Sequence, residues 1–121
     1  MKKILIVDDE TDINLALKVT LEEEGFKVDT FDDPLVALDN FKTRSYDLLI
    51  LDIKMPNMNG FELYKEIRRI DNNIKVCFLT AGDMFYGIHQ DMFDTLDANC
   101  FIRKPVENKE LIARINKIIN Q

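Results

Sequence analysis

Three acids, a hydroxyl and a lysine stand just beyond short apolar runs of this sequence. Asp8 and Asp9 follow KILIV, Asp52 follows DLLIL, and Thr80 follows KVCFL. Lys104, with Pro105 after it, lies shortly beyond ANCFI. Gathered in one place, three carboxylates repel one another, so either one takes a proton or a cation binds. Ligands made only of oxygen favour a hard metal such as Mg²⁺, which keeps several waters and needs few carboxylates plus a phosphate oxygen. Lysine adds a positive charge and threonine a hydroxyl donor, a set that suits a phosphoryl group. Asp52 is then the candidate nucleophile, because carboxylates form acyl phosphates. Each piece alone has a plainer reading. An acid pair caps helices, a threonine closes turns, and Lys-Pro marks a surface turn. Only the joint pattern carries the chemistry.

Something must bring these residues together. Five short runs, Lys3–Val7, Lys27–Phe31, Asp47–Leu51, Lys75–Leu79 and Ala98–Ile102, alternate with amphipathic segments. The first, third and fourth runs are almost continuously apolar, as strands buried on both faces of a parallel sheet are. KVDTF alternates, as a more exposed strand does. Between the runs the period changes to that of a helix. The successive faces are Ile13, Ala16, Leu17, Thr20 and Leu21; Leu35, Leu38 and Phe41; Leu63, Ile67 and Ile70; Phe85, Ile88, Met92 and Leu96; and Leu111, Ile112, Ile115, Ile118 and Ile119. Gly25 closes the first as a C-terminal stop.

Five βα units in series predict an α/β fold: a five-stranded parallel sheet with helices on both faces, flavodoxin-like, in the order 2-1-3-4-5. Ligands of such sheets bind beyond the carboxyl ends of the strands. The polar residues named above occupy those ends, and strands 1, 3, 4 and 5 are neighbours in that order.

The 121 residues fit one domain, residues 1–121, with no repeat or linker. A net charge of −6 argues against a phosphate-backbone binder, so no direct nucleic-acid partner is expected. No run approaches a membrane span, and the apolar run Ile4–Val7 is too short for a signal peptide, so a cytoplasmic location is expected. Cys77 and Cys100 read as small buried hydrophobes rather than a disulfide framework.

The motifs IVDDE (Ile6–Glu10), LILDIKMPNMNG (Leu49–Gly60), FLTAGD (Phe78–Asp83) and CFIRKP (Cys100–Pro105) resemble the signature of response-regulator receiver domains, the CheY-like family, over essentially the whole chain. That resemblance implies a two-component signalling module rather than an enzyme acting on outside substrates. It implies Asp52 as the phosphorylated residue, with a histidine kinase or phosphotransfer protein as donor. Asp9, Asp52 and the backbone carbonyl of Lys54 would ligate Mg²⁺, and Asp8 would act through water. Thr80 would hydrogen-bond the phosphoryl oxygens and Lys104 would pair with them, its direction set by a cis bond to Pro105. Met55, Pro56 and Gly60 would shape the loop over the site. Thr80 and Phe101 would form the switch that alters a partner-binding surface on the fourth helix, fifth strand and fifth helix. The chain would be a stand-alone regulator or the receiver part of a longer one.

Some positions depart from the common pattern. Phe101 lacks the hydroxyl of the more usual tyrosine. Lys54 stands beside the metal position, where its side chain either tunes phosphoryl lifetime or donor choice or is simply solvated. Gly82–Phe93 is rich in aromatics and methionine, and offers either an association surface or the core face of a helix. Asp97 stands where glycine is common, and His89 reads as exposed or capping. Three rivals remain. An aspartyl phosphohydrolase would carry a second acid where Lys54 stands. A flavodoxin-like electron carrier would need a phosphate loop where DDETD stands. A degenerate receiver would not keep the full acid, hydroxyl and lysine set.

Overall fold

Short, mainly apolar runs become the strands, and each strand ends at or just before the polar residue that follows its run. A computed structural model describes residues 1–41, 45–81, 101–105 and 107–120. The strands are β1 (Lys3–Val7), β2 (Lys27–Phe31), β3 (Leu48–Asp52), β4 (Lys75–Thr80) and β5 (Phe101–Arg103). The described helices are α1 (Thr11–Glu23), α2 (Pro34–Asn40), α3 (Gly60–Ile70) and α4 (Asn108–Ile119). All strand pairs are parallel, and the sheet order is β2-β1-β3-β4-β5, as the alternation of runs predicts. None of the described helices is long and apolar enough to cross a membrane.

Successive strand residues face opposite sides of a sheet, so the sheet feeds two cores. Leu5, Val7, Leu49, Leu51, Val76 and Phe78 pack with α2 and α3 on one face. Ile4, Ile6, Leu48, Ile50, Cys77, Leu79 and Ile102 pack with α1 and α4 on the other. β3 is buried along its whole length, while β2, at the sheet edge, buries only Val28. Gly25 follows α1 with φ of +95°, a backbone region in which a Cβ is strained.

Several expected helix faces shift. On α1 the buried seam is Asn14, Leu17 and Leu21, and Ala16 is exposed. The i, i+3, i+7 spacing of that seam starts at an asparagine, which an apolar template passes over. On α2 the buried residues are Pro34 and Ala37, because the helix is short and is entered through the Asp33 cap; Leu35 is exposed. Ile70 ends α3 and is likewise exposed, whereas Phe61 and Tyr64 join its core. The fifth strand begins at Phe101 among the described residues, and β3 and β4 each run one residue further than expected. The amphipathic segment Phe85–Leu96, Gly82–Phe93, His89, Asp97 and Cys100 lie outside the described residues.

Candidate phosphoacceptor site

Asp8, Asp52 and Lys104 meet at the carboxyl ends of β1, β3 and β5. Alternation explains the meeting: Asp8 continues the Ile4, Ile6 side of β1, and Asp52 continues the Leu48, Ile50 side of β3. Lys104 stands two residues past Ile102, on that same side. The Lys104 Nζ lies 2.9 Å from Asp8 Oδ2, 3.4 Å from Asp52 Oδ1 and 3.7 Å from Glu10 Oε1. Its backbone is tied in as well, since the Lys104 amide donates to the Thr80 carbonyl at 2.8 Å. The Lys104–Pro105 peptide bond is cis.

Asp8 is fully buried and both its oxygens are engaged. Oδ1 accepts from the Glu10 amide at 2.9 Å and Oδ2 accepts from Lys104. Asp9 and Glu10 are exposed, and carboxylate oxygens of Asp8, Asp9 and Glu10 lie within 4.8 Å of one another. Asp52 is buried. Burial, followed by the Asp8 carboxylate, pushes the Asp52 carboxyl up to about 7, against the pull of Lys104. Burial pulls the Lys104 ammonium down, yet its hydrogen bond to Asp8 and the charges of Asp52 and Asp8 outweigh that, so its value is raised. A crowd of carboxylates around one ammonium is short of positive charge. That donor set, all oxygen and partly open to solvent, fits a hard divalent cation.

The loop after β3 is pinned immediately beyond Asp52. The Ile53 amide donates to the Leu79 carbonyl at 3.1 Å, and the Gly60 amide donates to the Ile53 carbonyl at 2.8 Å. Asn59 and Glu62 close a reciprocal capping box at the start of α3. The helix start sits so close to β3 that a Cβ on Gly60 would collide with the Asp52 carbonyl oxygen. In the same loop Met55 is buried, while Lys54 and Pro56 are exposed.

Thr80 and Phe101 belong to the other side of the sheet. Thr80 is buried at the end of β4, two residues past Phe78. Phe101 is half-buried and stacks on Phe78 with ring centroids 5.4 Å apart. Its carbonyl accepts from Arg114 Nη1 of α4 at 3.0 Å. Two residues that motif reasoning passed over thus support the site. Arg114 ties β5 to α4. Asn14 donates from Nδ2 to the carbonyls of Asp8 and Phe31 at 2.8 and 3.2 Å, fixing the turn that carries the acids. A polar residue on the buried seam of α1 is the signal that would have found Asn14.

A family model described as "Response regulator receiver domain" matches residues 4–116. The chain belongs to the response regulator receiver family. Among curated relatives, a transcriptional regulatory protein CpxR homolog of Haemophilus influenzae is 39% identical across 100% of this chain and 52% of its own length. Response regulator SaeR of Staphylococcus aureus is 34% identical with the same coverage. The chain therefore spans about half the length of the curated relatives it matches. The non-phosphorylated HemR receiver domain of Leptospira biflexa superimposes with a TM-score of 0.85 at 28% identity, covering 100% of this chain and 96% of that one. Response regulator TrrA of Thermotoga maritima, solved in complex with Mg²⁺–BeF, gives 0.81 at 34% identity, covering 98% of this chain and 99% of that one. This receiver domain is thus a two-component signalling module with a flavodoxin-like fold.

Proposed function

We propose that residues 1–121 form one phosphoacceptor domain that takes a phosphoryl group from a histidine kinase or phosphotransfer protein onto Asp52. The observation that carries this reading is the placement of Asp52: buried, held against α3, and within 3.4 Å of a lysine that is itself anchored on Asp8. In the transfer, the phosphorus–nitrogen bond of the donor histidine breaks and a bond from phosphorus to an Asp52 oxygen forms. The imidazole leaves and takes a proton from solvent. Asp52 must be ionised to attack, and Lys104 favours that form. Lys104 then pairs with the incoming phosphoryl oxygens, and the Thr80 hydroxyl orients one of them.

Asp9, Asp52 and the Lys54 carbonyl would hold Mg²⁺. Asp8, whose oxygens are both engaged, would reach it through water. Once bound, the ion would supply positive charge to the phosphoryl oxygens and to the ionised carboxylates. The Mg²⁺–BeF complex of TrrA supports Mg²⁺ binding, though not the individual ligands, by similarity.

Phosphorylation replaces a carboxylate with a group of higher charge and more acceptors. Thr80 would move toward it, and Phe101, stacked on Phe78, would turn into the vacated space. The result is a shift between two existing populations rather than a new fold. The altered surface, built on β5, α4 and the segment before β5, would meet the downstream partner. In this reading the domain touches neither nucleic acid nor membrane, acts in the cytoplasm where kinases are charged with ATP, and is no enzyme toward outside substrates. It serves as a stand-alone regulator or as the receiver part of a longer one.

The test is intact mass after incubation with Mg²⁺ and acetyl phosphate or phosphoramidate, on wild type and Asp52→Ala. One phosphoryl group added to wild type alone is the expected result. A phosphoryl group on the variant would move the acceptor elsewhere, and none on wild type would remove the reading.

A further inference from the structure

Glu10 has no part in the motif roles above, yet its carboxylate stands 3.7 Å from the Lys104 ammonium. Its backbone is fixed, because the Glu10 amide donates to Asp8 Oδ1. It precedes α1 as the N-cap residue, but its side chain makes no capping hydrogen bond. Its side chain is 63% exposed, against 13% for Lys104 and none for Asp8. Among the described carboxylates beside Lys104, Glu10 is therefore the one most open to solvent, from which any phosphodonor arrives.

We propose that Glu10 sets phosphodonor choice by placing a negative charge at the mouth of the site, opposing free dianionic donors more than donors whose leaving group carries a proton. The proposal rests on the phosphoacceptor reading of Asp52 and deepens it. Acetyl phosphate arrives as a dianion near neutral pH. Phosphoramidate carries its phosphoryl group on a protonated nitrogen and arrives with one charge fewer. It shares with phosphohistidine the phosphorus–nitrogen bond that breaks as the bond to Asp52 forms. A rim carboxylate therefore acts on one additional charge in acetyl phosphate. At an exposed position, one such charge difference corresponds to about a three-fold change in rate. Glu10 also competes for Lys104, but that effect applies equally to both donors and cancels in their ratio.

The experiment measures rates of Asp52 phosphorylation by acetyl phosphate and by phosphoramidate at saturating Mg²⁺, for wild type, Glu10→Gln and Glu10→Asp. The expected result is an acetyl phosphate to phosphoramidate rate ratio about three-fold higher in Glu10→Gln than in wild type. Glu10→Asp, which keeps the charge, retains the wild-type ratio, and the difference collapses at high salt. An unchanged ratio in Glu10→Gln, with wild type phosphorylated normally, overturns the proposal and leaves the phosphoacceptor reading intact. A ratio that rises equally in Glu10→Asp also overturns it, since shape rather than charge would then be responsible. Wild type that accepts no phosphoryl group from either donor removes both.

Discussion

At the residue scale, Asp52 sets the proposed function against stability. Its carboxyl rises from 3.8 to about 7, first through burial and then through Asp8. A raised acid binds more protons folded than unfolded between those values, so folding loses stability as pH climbs from about 4 to about 7. Above that window the folded state carries the full cost of an ionised, crowded carboxylate. Asp52→Asn removes that cost. Without Mg²⁺, the variant is expected to be more stable than wild type at pH 8 by roughly 1–3 kcal/mol. The gain should shrink toward pH 4, where wild type is protonated as well. Urea unfolding of both proteins across that range checks the sign. A gain that grows as pH falls would mean Asp52 is stabilised in its charged form, and the strain assigned to it would be absent. Lys104 does not cancel the cost because Asp8 holds it at 2.9 Å and Asp52 only at 3.4 Å.

At the element scale, the start of α3 lies directly against the backbone of Asp52. A Cβ at Gly60 meets the Asp52 carbonyl and the Ile53 backbone, none of which has a flexible end to move aside. Gly60→Ala is therefore expected to cost about 1–3 kcal/mol in denaturant unfolding and to slow phosphorylation of Asp52. A variant with wild-type stability and rate would show that α3 can retreat freely. The motif LILDIKMPNMNG made Gly60 legible as a loop residue, but only the closeness of helix to strand explains the need for glycine. The same division runs through the fold. Sheet order and strand positions were legible because runs such as LLIL have one pattern and one use. Helix faces were less so. Leu35 and Ile70 match an apolar template yet lie exposed at helix ends, while Asn14 breaks the template and is buried. Its value lies in the carbonyls of Asp8 and Phe31, which come together only through tertiary structure. Glu10 stands in the motif IVDDE, but its reach to Lys104, 94 positions along the chain, was not legible there.

At the scale of the whole molecule, charge is sorted along the strands. β1, β2 and β4 each begin with a lysine, Lys3, Lys27 and Lys75. Two of these are engaged locally. Lys3 Nζ stands 3.6 Å from Asp29 Oδ2, whose carboxyl is held low first by a hydrogen bond from Tyr46. Lys75 Nζ donates to the carbonyls of Ile118 and Ile119 at the end of α4, where the helix dipole welcomes a cation. The opposite end gathers Asp8, Asp9, Glu10 and Asp52 around Lys104. In a chain of net charge −6, this acidic end repels itself and draws cations. Two responses should separate. Raising NaCl from about 0.01 to 0.15 M screens diffuse repulsion and is expected to raise the melting temperature modestly. Mg²⁺ at the same ionic strength should raise it further, because occupancy of a site on the folded state adds stabilisation by mass action. Asp9→Asn should abolish the Mg²⁺ increment and keep the NaCl increment. Equal effects of the two salts at matched ionic strength would mean that the acids act only as a diffuse field, and the Mg²⁺ assignment would fall with that result.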